Sequence, residues 1–178
     1  PEGVNQGNLG EGLEGGDRYV DGLDFFALEA RRARFTACAE KGFPAMTAAP
    51  LGMGTALLNF LPGKMTFEEY FRLEGQAEDE QLLRFTLGLS PALLQMKYMV
   101  DKSRVDLVNH KGPSTPMACE ICAGVAASHV LKILLQRGKV PAAPRGVHFD
   151  AYNNDVTHTW RPGGNYNPLQ QLALLVAR

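Results

Sequence analysis

Two carboxylates three residues apart, Asp21 and Asp24, end an apolar strand-like run and open a segment that reads as helix. A carboxylate at the carboxyl end of a strand, facing a helix start, is a common place to hold a metal ion and its phosphate. The plainer role for Asp24 is a helix N-cap, and residue chemistry alone favours it. The second pair is Cys119 and Cys122, a single CxxC. A structural zinc needs four ligands. No second CxxC is present, Cys38 stands alone, and His110 and His129 are not at a recognised spacing. Zinc is therefore not expected. Redox chemistry would need exposure and an activated thiolate. Two small buried residues packing on a helix is the simpler account. His148 and His158 fall on a predicted hairpin where they would face each other, an arrangement more typical of packing or surface than of ligation.

The elements that must position these groups alternate between strand and helix. Residues 17–21 read as a first strand and residues 25–41 as a helix. In that helix Phe26, Ala30, Ala33 and Ala37 form the inward stripe, while Arg31, Arg32 and Arg34 face elsewhere. Gly42 stops it. Residues 43–49 and 53–61 read as strands joined by a Gly-rich turn at 49–54, taken as a tight connection and not a ligand cradle. Thr66 to Glu69 has the spacing of a capping box. Residues 82–89 and 91–100 read as helical pieces broken at Pro91, with Phe67, Tyr70, Phe71, Leu82, Leu83 and Phe85 as packing residues. After a turn-rich loop at 109–116, residues 117–136 are apolar nearly all round, which predicts a central, buried helix. Residues 146–152 and 156–160 flank Asn153 and Asn154 as a β-hairpin. Trp160 would pack as the chain leaves the sheet, with a partner-docking surface as the other option. A closing helix from Pro168 would turn Leu169, Leu172 and Leu175 or Val176 inward.

The chain has 178 residues, 45% hydrophobic and 21% charged, with a formal net charge of -1. That is ordinary globular composition, enough for one domain with a real core. The charge balance speaks against nucleic acid as the main partner. No unbroken apolar run approaches the roughly 18 residues of a membrane span, and no secretory pattern opens the chain. Three cysteines do not make a disulfide framework, so a cytoplasmic protein is the expectation.

From Val20 to about Ile133, and more loosely through the hairpin, the sequence resembles the ThiF/MoeB/HesA family, bacterial relatives of ubiquitin-activating enzymes. The anchor is the Asp-x-x-Asp at Asp21 and Asp24, followed by the helix and the strand around Pro44 to Ala49. The resemblance implies an α/β fold: the C-terminal half of a ThiF-type Rossmann-like domain. Its mixed sheet would carry helices on both faces and end in an antiparallel hairpin. It implies ATP and magnesium as cofactors, with Asp24, the second aspartate, on the magnesium and Asp21 beside it. The implied activity is adenylation of the C-terminal carboxylate of a ubiquitin-like or sulfur-carrier protein, by a homodimer. Relatives acting on a small carboxylate or a tRNA-borne group are an alternative, as is a non-catalytic scaffold or interaction module. Family cysteine chemistry sits in a crossover loop, which makes Cys119, just past such a loop, a catalytic candidate. Phe25 stands where the family has Asn, and Glu29 lies near the place of a family arginine. The family's Gly-rich phosphate loop belongs to an N-terminal half not visible here. Residues 1–178 are thus expected to form one partial domain, opened by a flexible or loop segment over 1–16 and inactive alone.

Overall fold

The computed structural model describes residues 13–101 and 115–178. His110 and most of the predicted loop at 109–116 lie outside the described residues. Five strands form one sheet in chain order: β1 (Tyr19–Asp21), β2 (Ala45–Leu51), β3 (Gly54–Phe60), β4 (Arg145–Asp150) and β5 (Asp155–Trp160). The β1–β2 pair is parallel and every other pair antiparallel. The mixed sheet and its terminal hairpin are as the sequence predicts.

Register sorts the two faces, because partnered residues share a face and neighbours along a strand alternate. Tyr19 and Asp21, Ala45 and Thr47, Ala56 and Leu58, and His148 fall on one face. Helices α1 (Leu28–Lys41), α2 (Phe67–Phe71) and α3 (Glu78–Leu89) cover it. The core there is aromatic. Phe35 stacks on Phe67 with ring centroids 4.5 Å apart, and Phe60, Phe71 and Phe85 close around them. Helix α4 (Pro116–Leu134) lies on the other face, where Ala126 meets Met46 and Leu57.

Local signals explain the helix ends. Thr66 Oγ1 accepts from the Glu69 N–H at 3.2 Å while Glu69 Oε2 accepts from the Thr66 N–H at 2.7 Å, the reciprocal capping box. The Thr66 N–H, and then the Thr66 hydroxyl, both donating to Oε2, hold the Glu69 carboxyl below its usual range. Gly42 ends α1 at φ 68°. Gly52 sits at φ +59°, and a Cβ there would lie 2.3 Å from Tyr98 Oη. The 49–54 turn is a tight connection packed under Tyr98. The segment after Ser90 holds only a 3-10 turn at Leu94–Lys97, not a second helix.

Further expectations are corrected. The inward stripe of α1 is Leu28, Arg31, Phe35 and Cys38, so Arg31 faces the core. Helix α4 is not enclosed: Met117, Leu131 and Leu134 are exposed, and only its underside meets the sheet. Its nineteen residues are also, by length and hydropathy, apolar enough to cross a membrane, which no unbroken run in the sequence suggested. His148 pairs with Thr157, and His158 with Val147, so the two histidines lie on opposite faces. Trp160 is 59% exposed, with the Arg145 guanidinium 5.8 Å from its ring.

The last correction concerns α5 (Pro168–Ala177), which buries Gln170 and Leu174 and leaves Leu169, Leu172, Leu175 and Val176 outside. A buried glutamine is tolerated because its amide is used. Gln170 Nε2 donates to Leu87 O at 3.0 Å and to Asn165 Oδ1 at 3.3 Å. This orientation predicts opposite costs for two leucines on one helix. Leu174→Ala should destabilise by about 2–5 kcal/mol, and Leu172→Gln by less than about 0.5 kcal/mol. Urea melts of the two variants test it. The reverse order would restore the stripe read from sequence.

Candidate functional site

Asp21 is the last residue of β1, and Asp24 follows three residues later, before α1 begins at Leu28. The two aspartates have different surroundings. Asp21 is 7% exposed and its carboxylate accepts four hydrogen bonds. Arg31 Nε (2.6 Å) and Thr47 Oγ1 (2.8 Å) donate to Oδ2. The Leu23 N–H (3.2 Å) and Tyr19 Oη (3.3 Å) donate to Oδ1. A carboxylate offers about four acceptor positions, so this one is saturated. Burial, then the neighbouring carboxylate, pushes the Tyr19 hydroxyl well above its ordinary pKa and keeps it a donor.

Asp24 is exposed. It is not the N-cap of α1: Ala27 holds that position and makes no side-chain cap bond. Asp24 Oδ1 instead accepts from the Phe26 N–H at 3.0 Å, and Asp24 O accepts from the Ala27 N–H at 3.0 Å. These bonds make a compact turn that delivers the chain into the helix with the carboxylate outside. Phe25, next in sequence, packs edge to face on Phe26 and tilted on Phe85.

Sequence reasoning missed Arg31. Grouped with Arg32 and Arg34 it reads as part of a solvated face, yet it is 3% exposed. Its Nη1 donates to Phe25 O (3.1 Å), and its Nη2 to Leu23 O (2.9 Å) and Asp24 O (3.0 Å). The signal was there in the spacing: Arg31 is three residues from Leu28 and four from Phe35, on the stripe those residues define.

The cysteine pair lies at the same end of the sheet but across it. Thr115 caps α4, accepting from the Ala118 N–H at 3.2 Å and donating to Gly52 O at 2.9 Å, just past the carboxyl end of β2. Cys119 is exposed and Cys122 half-buried, so they are not the enclosed packing pair expected. Burial pushes the Cys122 thiol up, with a Thr55 hydrogen bond opposing it. Among the described residues, no three His, Cys, Asp or Glu side chains are grouped to hold a metal ion. Asp24 offers an open carboxylate just past the carboxyl end of β1. One or two carboxylates with phosphate oxygens suffice for magnesium, so the residue present fits that ion.

A parallel β1–α1–β2 unit extended by antiparallel strands is a Rossmann-like α/β arrangement. The chain belongs to the ThiF family, whose model matches residues 1–171. Among solved structures it is similar to Escherichia coli MccB with ATP, at 12% identity and a TM-score of 0.56, covering 89% of this chain and 40% of that one. MccB with MccA-N7isoASN gives 13% and 0.57, with 89% and 42% covered. PaaA gives 11% and 0.54, with 89% and 39% covered. At these identities the likeness is one of fold. The chain spans about 40% of the length of those proteins. No curated protein sequence matches it.

Proposed function

We propose that this chain is the C-terminal part of an ATP-dependent adenylyltransferase that activates a carboxylate. The observation that carries this reading is the exposed Asp24 carboxylate at the carboxyl end of a parallel strand, in a ThiF-family chain. In the reaction, a substrate carboxylate oxygen attacks the α-phosphorus of ATP. The bond from that phosphorus to the bridging oxygen breaks, leaving an acyl-adenylate and pyrophosphate. Asp24 would hold magnesium, which when bound would neutralise charge on the phosphate oxygens. Asp21 would support the site from behind, its acceptor positions already used. Residues preceding this chain would supply the Gly-rich phosphate loop and complete the domain, and the intact protein would act as a homodimer. The substrate class we favour is the C-terminal carboxylate of a peptide or small carrier protein. Its support is that MccB has been solved with MccA and with N-formylated MccA. Cys119 is available at the start of α4 should the acyl group pass to a thiol.

A non-catalytic scaffold is the second reading, favoured by Phe25 packed beside Asp24 where the resemblance leads one to expect Asn. ATP–pyrophosphate exchange decides between them, run with magnesium on these 178 residues and on the full-length gene product. Exchange is expected only in the full-length protein, and Asp24→Ala should lower it by about 100-fold or more, the scale of losing a preorganised charge-stabilising group. No exchange in either, with candidate peptides, carrier proteins and small carboxylates supplied, would favour the scaffold.

A further inference from the structure

We infer that Arg31 is the positioning residue of this site, holding the Leu23–Asp24–Phe25 backbone so that the Asp24 carboxylate is presented outward. The inference rests on the reading of Asp24 as the metal-facing residue. Three consecutive carbonyls, those of Leu23, Asp24 and Phe25, converge on one guanidinium, while its Nε engages Asp21 at 2.6 Å. Four of the five N–H donors of the fork are thereby assigned. The Phe85 ring lies against it, 4.8 Å from Cζ to the ring centroid. A chain that wraps its carbonyls around a buried cation must turn its side chain away from it. Asp24 is exposed and Oδ1 is fixed by the Phe26 N–H.

Asp21 then acts as the counter-ion. A buried guanidinium with only carbonyl partners would leave a full charge uncompensated, and Asp21 supplies the opposite charge at the strand end. Lysine cannot take this place. An ammonium is a compact point charge, without the planar spread that reaches a carboxylate and three carbonyls together. The arrangement links a residue inside α1 to the placement of a carboxylate seven positions earlier.

Two measurements test the clamp itself. In the wild-type chain, arginine-selective NMR should show separate, slowly exchanging Nη signals for Arg31, because its rotation is blocked. A single averaged signal would overturn the clamp. In Arg31→Lys, the Ala27 and Leu28 amides, which donate to Asp24 O and Phe26 O, should exchange at least about 10-fold faster, while the buried Leu57 and Leu58 amides hold. Equal exchange at all four would also overturn it. The link to the site is read from manganese binding by water-proton relaxation, with ATP present, in the full-length gene product. Arg31→Lys should weaken binding about 10-fold, the scale found for groups that orient metal ligands, and Asp24→Asn should abolish it. Binding that survives Asp24→Asn would remove the ligand role of Asp24, and with it Arg31's part in the site. Binding lost in Asp24→Asn but unchanged in Arg31→Lys would overturn the positioning role alone.

Discussion

Asp21→Ala is expected to destabilise the fold by about 3–5 kcal/mol, the scale for removing one partner of a buried ion pair. The pair is buried on both sides, with side-chain exposures of 3% for Arg31 and 2% for Asp21. Little solvent would enter to replace the lost carboxylate, so the guanidinium would remain as a buried charge with carbonyl dipoles for company. Thr47 Oγ1, which donates to Asp21 at 2.8 Å and is itself buried, would lose that acceptor as well. Arg31→Met alone should cost a similar amount, because it strands the carboxylate and frees three carbonyls. The double variant should cost clearly less than the sum of the two, since each removes the charge the other leaves unpaired. Urea denaturation of the four proteins measures this. A loss under about 1 kcal/mol for Asp21→Ala, or strict additivity, would mean the pair is more hydrated than its burial indicates.

Stability should also fall as pH drops below about 6.5, and two buried histidines set the sign. His148 is 1% exposed and shares a hydrogen bond with Ser90 Oγ at 3.2 Å through Nδ1; its Nε2 is buried with no partner among the described residues. Burial lowers its pKa, and Asp150 and Asp155 only partly oppose that. His129 is 6% exposed and sits against Asn59 Nδ2 at 3.1 Å. Burial, and then Lys132, lower its pKa too. Both rings are therefore neutral in the fold at pH values where the unfolded chain already takes up protons. Between the folded value and about 6.5 the unfolded state binds more protons, so stability rises with pH there and is lost on acidification. Each histidine contributes a slope of at most about 1.4 kcal/mol per pH unit. Urea midpoints from pH 7.5 to 5.5 should show the decline, and His148→Asn should flatten it. A flat profile across that range would mean both rings titrate as in the unfolded chain.

Sequence signals carried the sheet and most element positions because they act locally. The capping box at Thr66, the glycine after Lys41 and the asparagines between β4 and β5 each declare an element end through backbone chemistry. What stayed hidden depended on partners far along the chain. Arg31 looks solvated until α1 is laid back over β1 and Asp21 comes within 2.6 Å. Gln170 looks like a surface residue until Leu87 O, 83 positions away, gives its amide a partner. The leucines of α5 and the outer face of α4 misled for a different reason: apolar periodicity tells which residues form a stripe, and tertiary packing decides which stripe is covered. At the candidate site, Asp24 was legible from its strand end and the family resemblance. The division of labour between the two aspartates was not, because it comes from a residue whose burial no local pattern announces.

The chain-order sheet has a consequence for how the molecule assembles. Strands β2 and β3 are joined through Gly52 and Met53, and β4 and β5 through a short turn, so each pair can form by a local closure. The seam between β3 and β4 is different. Phe60 ends one and Arg145 opens the other, so their pairing closes a loop of about 85 residues, at a chain-entropy cost of about 4 kcal/mol. Helices α2, α3 and α4 all lie inside that loop. The two hairpins should therefore be early, fast units and the seam the late event. Once the loop is this long, extending it further is cheap: doubling it adds only about 0.6 kcal/mol. The segment between β3 and β4 is thus where the fold best tolerates added chain, and slow closure is the kinetic mark it leaves.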